Sequence, residues 1–195
     1  MSTEEVGSVP AVERVEVPLA ADERDMLVAW LEWHRATLTR KCAGLTAEQL
    51  ALQSCPPSGL TLLGLLRHLT DVERGWFARG VGLDAPPIYY SDQDPESDFR
   101  LPRPVTEEHV RKAFEAWLAE GERSRRVVAG LPSLDDEAVG ESHTWRWILL
   151  HMIEEPVTTG TPTFFVRRSM GGSERDGAAG SSRAVRPQIC AVVAV

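Results

Sequence analysis

The sequence predicts an all-α protein built as a four-helix bundle. Three observations lead there. Four segments place apolar residues at three- and four-residue steps, the period of a helix with one buried face. No segment shows the strict alternation of a half-buried strand. Two long connections, rich in proline, glycine and acids, separate the second helix from the third and the third from the fourth. A chain of 195 residues suits one domain with its own core.

Taken in order, residues 1–21 carry Val, Pro and Glu without helical period and read as an irregular arm. Asp22 is placed to cap a first helix that runs to about Gly44, with Leu27, Trp30, Leu31, His34, Leu38 and Cys42 on one face. Thr46 and Gln49 form a capping-box pattern for a short turn, and a Cys-Pro-Pro-Ser-Gly stretch then breaks the chain. The second helix spans about Thr61 to Arg79 and turns Leu62, Leu65, Leu69, Val72 and Trp76 to one side. His68 falls inside or at the border of that apolar face. Residues 80–105 hold five prolines and suit a crossover loop. Thr106 caps a third helix to about Val128, with Val110, Phe114, Trp117 and Leu118 inside. A fourth begins near Thr144 and carries Trp145, Trp147, Ile148, His151 and Glu155. The bundle thus occupies residues 22–155.

Charge and composition exclude several classes. The net charge is −8, and no basic stripe is present, which argues against nucleic acid and anionic lipid as partners. No apolar run is long enough to cross a membrane. Three cysteines, Cys42, Cys55 and Cys190, lack metal-ligand spacing; with no signal peptide in sight they point to reduced thiols in the cytoplasm. Arginine outnumbers lysine nineteen to two, the bias of a GC-rich coding sequence. The charge also shifts along the chain: residues 1–155 carry a net −11, the last forty a net +3.

The chemistry rests on a few residues. His151 and Glu155 lie four apart on one helical face, and His68 projects from the middle of another helix. Bundles build metal sites from inward ligands at such spacing plus one from a facing helix. Imidazole and carboxylate together suit zinc or a similar divalent ion. A lone histidine on an apolar face is more often a hydrogen-bonded core residue, so the spacing alone does not assign a ligand. Other candidates have plainer readings. His34 suits packing or support of a ligand. Asp71, Glu73 and Glu154 read as exposed helix charges, and the 122–126 run as a solvated face. His143 reads as part of a helix cap. Trp76, Trp117, Trp145 and Trp147 read as core, and Cys42 and Cys55 as inert thiols.

The stretch LLGLLRHLTDVERGWF (Leu62–Phe77), the preceding PPSGLT and the later WILLHMIEE together resemble the DinB-like superfamily, and most closely its actinobacterial branch of DinB-family or mini-circle proteins. The resemblance spans about Asp22 to Glu155. It implies an up-down-down-up four-helix bundle holding a divalent metal, zinc or nickel, and, by analogy with some relatives, a low-molecular-weight thiol such as mycothiol used in a transferase reaction on a small molecule. By motif it makes His68 and Glu155 metal ligands, while His151 matches a frequent histidine that is not usually one. It also implies a homodimer, which no particular residue specifies.

The pattern fails after Glu155. The resemblance calls for a third ligand, a histidine where this chain has Thr159, within a continuation similar to YARHNGHADLLRE. The chain instead reads Pro156 and then VTTGTPTFFV, and proline disfavours helix at the residue before it. Residues 156–166 can be written in codons that, read two bases later, translate as RHNGHADLLR. A frameshift just after Glu155 accounts for this, and the charge shift falls at the same point. Residues 156–195, rich in Gly, Ser and Arg, read as a disordered tail. The competing reading is a non-catalytic or degenerate bundle with an incomplete metal site, such as a mobile element would carry.

Overall fold

The computed structural model describes residues 9–53 and 59–155, and within them the protein is all-α. The helices are α1 (Glu23–Cys42), α2 (Ala47–Leu50), α3 (Leu62–Gly80), α4 (Glu107–Gly130) and α5, at residues 145–155. Among the described residues there is no strand, only isolated bridges at Ser91–Asp94 and Glu137–Thr144. The four long helices match the sequence expectation in place and order. Their starts were legible because caps are local chemistry. Asp22 accepts the Asp25 N–H and Thr61 the Gly64 N–H; Thr46 with Gln49 and Thr106 with His109 close reciprocal capping boxes. The expectations for residues 1–8, Cys55, Cys190, Thr159 and the 156–195 tail lie outside the described residues.

The core divides into two apolar clusters. One gathers Leu38 and Cys42 of α1, Leu50 of α2, Leu62, Leu65, Leu66 and Leu69 of α3, and Val110, Phe114 and Trp117 of α4. The other gathers Leu31, Phe77, Val128, Trp145, Ile148, Leu149 and Met152. All of the α5 contribution falls in this second cluster. A polar layer lies between the two in helix register. Arg35 stands between Leu31 and Leu38, Glu73 between Leu69 and Phe77, and Ser124 between Trp117 and Val128. All three are buried. Glu73 accepts hydrogen bonds from Arg35 Nε (3.3 Å), Arg35 Nη2 and the Ser124 hydroxyl, and Arg35 Nη2 also donates to Ser124 Oγ at 2.6 Å. This corrects the reading of Glu73 as a solvated charge: it is 1% exposed because a matched cation on α1 compensates its desolvation.

The crossover loop is strapped to α3 by three polar side chains on one stripe of the helix. Arg67 donates to the carbonyls of Arg100 (3.0 Å) and Ser97 (3.1 Å). Asp71, also expected on the surface, is 3% exposed and accepts the backbone N–H groups of Ile88 and Tyr89, both at 2.7 Å. Arg74 donates to Pro86 O at 2.8 Å and to Glu120 at 2.6 Å. Spacings of four and three residues keep these side chains on one side of α3. The loop is thereby held in one path, and its backbone groups are satisfied by these side chains and by turn hydrogen bonds such as those between Ser91 and Asp94.

Further corrections concern the borders of the core. Trp117 and Trp145 are buried, but Trp147 is 41% exposed and Leu118 50%. Within the 122–126 run, Ser124 is buried, Arg123 pairs with Glu120 and Arg125 with Glu32. Gly80 closes α3 against α5: a Cβ there would meet the Trp145 ring at 2.7 Å. The glycine therefore sets how near the two helices come, a role its place at a helix end did not advertise.

Candidate metal centre

His68 lies two turns into α3, on the edge of the first apolar cluster, and is partly buried. Its helical position points it past Leu65 and Val72 toward the crossover loop and the last turn of α5. Nδ1 is 2.7 Å from Asp98 Oδ2, and Nε2 is 3.5 Å from Glu155 Oε1. Asp98 is 2% exposed, and its other oxygen accepts the Phe99 N–H at 2.9 Å. The Phe99 ring stacks on the imidazole with centroids 4.7 Å apart. Glu155 also lies near His151, whose Nε2 is 3.7 Å from Oε2. The structure therefore brings together His68, Glu155 and His151, as their helical positions suggested. It adds Asp98, which sequence reasoning missed.

The two contacts of His68 are not equivalent. A carboxylate only accepts, so the 2.7 Å contact places the proton of a neutral imidazole on Nδ1. Nε2 is then the ring nitrogen with a free lone pair, and it faces the Glu155 carboxylate. Burial works against a charged ring, yet the carboxylates of Glu155 and Asp98 outweigh it and raise the His68 pKa above its ordinary 6.5. The hydrogen bond from His68 likewise holds Glu155 below its ordinary 4.5, against the effect of burial and with help from the charge of His151. In the metal-free protein the two form an ion pair.

That pairing makes stability depend on pH. Glu155 has a lowered pKa, so its contribution is complete above 4.5 and is lost as pH falls through the lowered value. His68 has a raised pKa, so its contribution is complete below 6.5 and is lost as pH rises through the raised value. The pair is fully effective between those limits. A melting-temperature profile of the metal-stripped protein should therefore fall on the alkaline side, and a Glu155→Gln variant should flatten that limb. An unchanged limb in the variant would refute the pairing.

A wall of aromatic rings closes the α5 side. Trp147 stacks on His151 (4.9 Å, 13°) and lies against His143 at 4.1 Å, with residues 143, 147 and 151 spaced by one turn each. Trp76 of α3 meets all three rings edge-on at 5.2–5.6 Å. His143 thus belongs to this wall, while Thr144 supplies the cap by accepting the Trp147 N–H at 3.4 Å. His34 packs on Trp30 and Trp33 of its own helix, away from these residues in contact, and burial lowers its pKa. On the loop side, Phe99 also lines a cavity of about 620 Å³ whose other walls include Thr61, Glu48, Gln53 and Pro104.

The donor set is of a kind that suits a divalent ion. Imidazole Nε2 and carboxylate Oε1, 3.5 Å apart on facing elements, are donors of the right kind, and an imidazole whose other nitrogen is tied to a carboxylate is the usual form of a metal-binding histidine. Among the described residues no group of three His, Cys, Asp or Glu side chains closes around one point. These two donors fit a divalent ion, and Thr159, where the resemblance calls for a third, lies outside the described residues. No helix among the described residues is long and apolar enough to cross a membrane.

Fold and site define a helical bundle with a carboxylate-supported His/Glu pair at the junction of two long helices and a strapped loop. A family model for mycothiol-S-transferase matches residues 26–158, which is well over half of the chain. The chain belongs to that family, within the DinB-like superfamily. No curated protein and no solved structure matches it.

Proposed function

We propose that this bundle is of the divalent-metal, thiol-dependent transferase type, with His68 and Glu155 as its two metal ligands in residues 9–155. The observation that carries the reading is the pair itself: Nε2 of an imidazole whose Nδ1 is held by buried Asp98, facing a carboxylate across 3.5 Å. A divalent ion at this point supplies Lewis acidity, which keeps a thiol ionised near neutral pH. The chain's own residues do the rest. Asp98 keeps the proton of His68 on Nδ1, the ring wall of Trp76, Trp147 and His151 limits water on one side, and Phe99 separates His68 from the cavity on the other. Zinc or nickel suits the donor set, and mycothiol or a similar small thiol is the cofactor that membership of the family supports. The substrate is a small molecule, with no nucleic acid and no membrane as partner; a cytoplasmic homodimer with up-down-down-up helices completes the proposal.

A second reading has its own observation. The family match ends at residue 158, shortly after Glu155, near the point where the sequence leaves the continuation that the resemblance calls for. On that reading a frameshift after Glu155 leaves a bundle with an incomplete site and no activity. Resequencing the gene checks the frameshift, since the out-of-frame translation RHNGHADLLR is either encoded or not.

Metal analysis of the purified protein tests the main reading. Added zinc or nickel is expected to bind, weakly because only two ligands lie in residues 9–155, and most of that binding is expected to be lost in His68→Ala and in Glu155→Ala. Metal retained in both variants would remove the pair from the site, and metal-free wild-type protein that also fails to take up added zinc would favour the degenerate bundle.

A further inference from the structure

Four residues of the crossover loop, Ser97 to Arg100, lie against one turn of α3, the middle two on His68 and the outer two on Arg67. Asp98 contributes the 2.7 Å contact to Nδ1, and Phe99 contributes the ring stacked on the imidazole face. The adjoining helix residue, Arg67, grips the same loop turn from the other direction through Ser97 O and Arg100 O. The Asp98 carboxylate is fixed in turn, because Oδ1 takes the Phe99 N–H. The loop also packs on Gly64, one turn before His68: a Cβ there would lie 3.4 Å from Phe99, an ordinary contact, and 3.0 Å from the Thr61 hydroxyl. None of these contacts is needed to cover the apolar core, since Asp98 and Arg67 are charged and Phe99 is only partly buried. Their common object is the orientation of one imidazole.

We infer that the 97–100 loop turn is a clamp for His68, and that Asp98 is its positioning residue, fixing the Nδ1–H tautomer so that Nε2 presents its lone pair toward Glu155. Unrestrained neutral histidine favours the opposite tautomer, with the proton on Nε2, which would bury the donor behind a hydrogen. The carboxylate reverses that preference because only Nδ1–H can satisfy it at 2.7 Å. The clamp rests on the metal reading for its purpose, but its geometry stands without a metal, so the two fail separately. Ligating histidines supported in this way lose roughly 10–100-fold in metal affinity when the supporting carboxylate is removed.

Nitrogen-15 NMR of the metal-free protein, at a pH alkaline enough to keep the ring neutral, reads the tautomer directly. Wild-type His68 is expected to carry its proton on Nδ1, and Asp98→Ala to move it to Nε2. Asp98→Asn offers one oxygen where two donors call; with that oxygen kept by the Phe99 N–H, its amide N–H faces Nδ1 and should likewise move the proton to Nε2. Zinc affinity, measured by competition with a chromophoric chelator, should drop roughly 10–100-fold in Asp98→Ala and in Asp98→Asn. A wild-type ring protonated on Nε2, or an Asp98→Ala ring still protonated on Nδ1, overturns the clamp. If Asp98→Ala does not fold, the wild-type and Asn tautomers decide. The expected tautomers in a protein that binds no zinc would uphold the clamp and sink the metal reading instead.

Discussion

Glu73→Ala is expected to lower the free energy of unfolding by about 3–5 kcal/mol, a large share of the stability of a domain this size. The reason is what the substitution leaves behind. Arg35 is 7% exposed and gives two of its donors to Glu73. Without the carboxylate, the guanidinium remains inside the bundle with only Ser124 and the half-exposed Glu32 as partners. Ser124 loses an acceptor as well. A buried ion pair need not stabilise relative to apolar residues, since desolvating both charges offsets much of their attraction. The same account therefore predicts that Arg35→Met combined with Glu73→Leu recovers most of the loss, because the two apolar clusters then join into one. Urea unfolding of the single and double variants measures both. A single-variant loss below about 1 kcal/mol would mean that water reaches the layer and the charges are not stranded.

Arg35 and Glu73 also show what the sequence did and did not disclose. Helix positions, caps and the apolar stripes were readable because each depends on neighbours within four residues. Glu73 stood in plain view at an inward position, four residues from both Leu69 and Phe77. Its charge outweighed its position in the reading, since the cation that makes burial tolerable sits 38 residues away on α1. Asp71 was misplaced for a related reason: its partners are the backbone N–H groups of a loop, which no side-chain pattern announces. The candidate site divides in the same way. His68 and Glu155 were singled out by motif and spacing, and the fold sets them 3.5 Å apart. Asp98 was invisible because it lies in an aperiodic, acid-rich loop where one aspartate resembles the next. A fixed path for that loop is what selects it, and the path depends on Arg67, Asp71 and Arg74 together.

Replacing the chain after Glu155 by YARHNGHADLLRE, the continuation that the resemblance calls for, is expected to raise zinc affinity by more than the roughly 10–100-fold that a supporting residue contributes. The replacement returns a histidine to the position of Thr159, four residues beyond Glu155 and so on the same face of a lengthened α5. Three protein ligands with an open fourth position are what a catalytic zinc site needs, whereas two leave the ion mostly to solvent. Stability should rise together with affinity. In the described residues α5 covers only the cluster around Phe77 and Ile148, and nothing from α5 reaches the cluster around Leu62, Leu66 and Trp117. The added residues, about three and a half turns of helix, would run toward the first cluster, and each large apolar side chain they bury is worth about 1.5–3 kcal/mol. Isothermal titration with zinc and thermal unfolding without it separate the two gains. A higher melting temperature with unchanged zinc affinity would show that the added turns are structural only, and that a histidine at position 159 is not a ligand. Gain of both in the repaired chain, with loss of affinity alone on adding His68→Ala, would establish the three-residue site and make the present sequence its interrupted form.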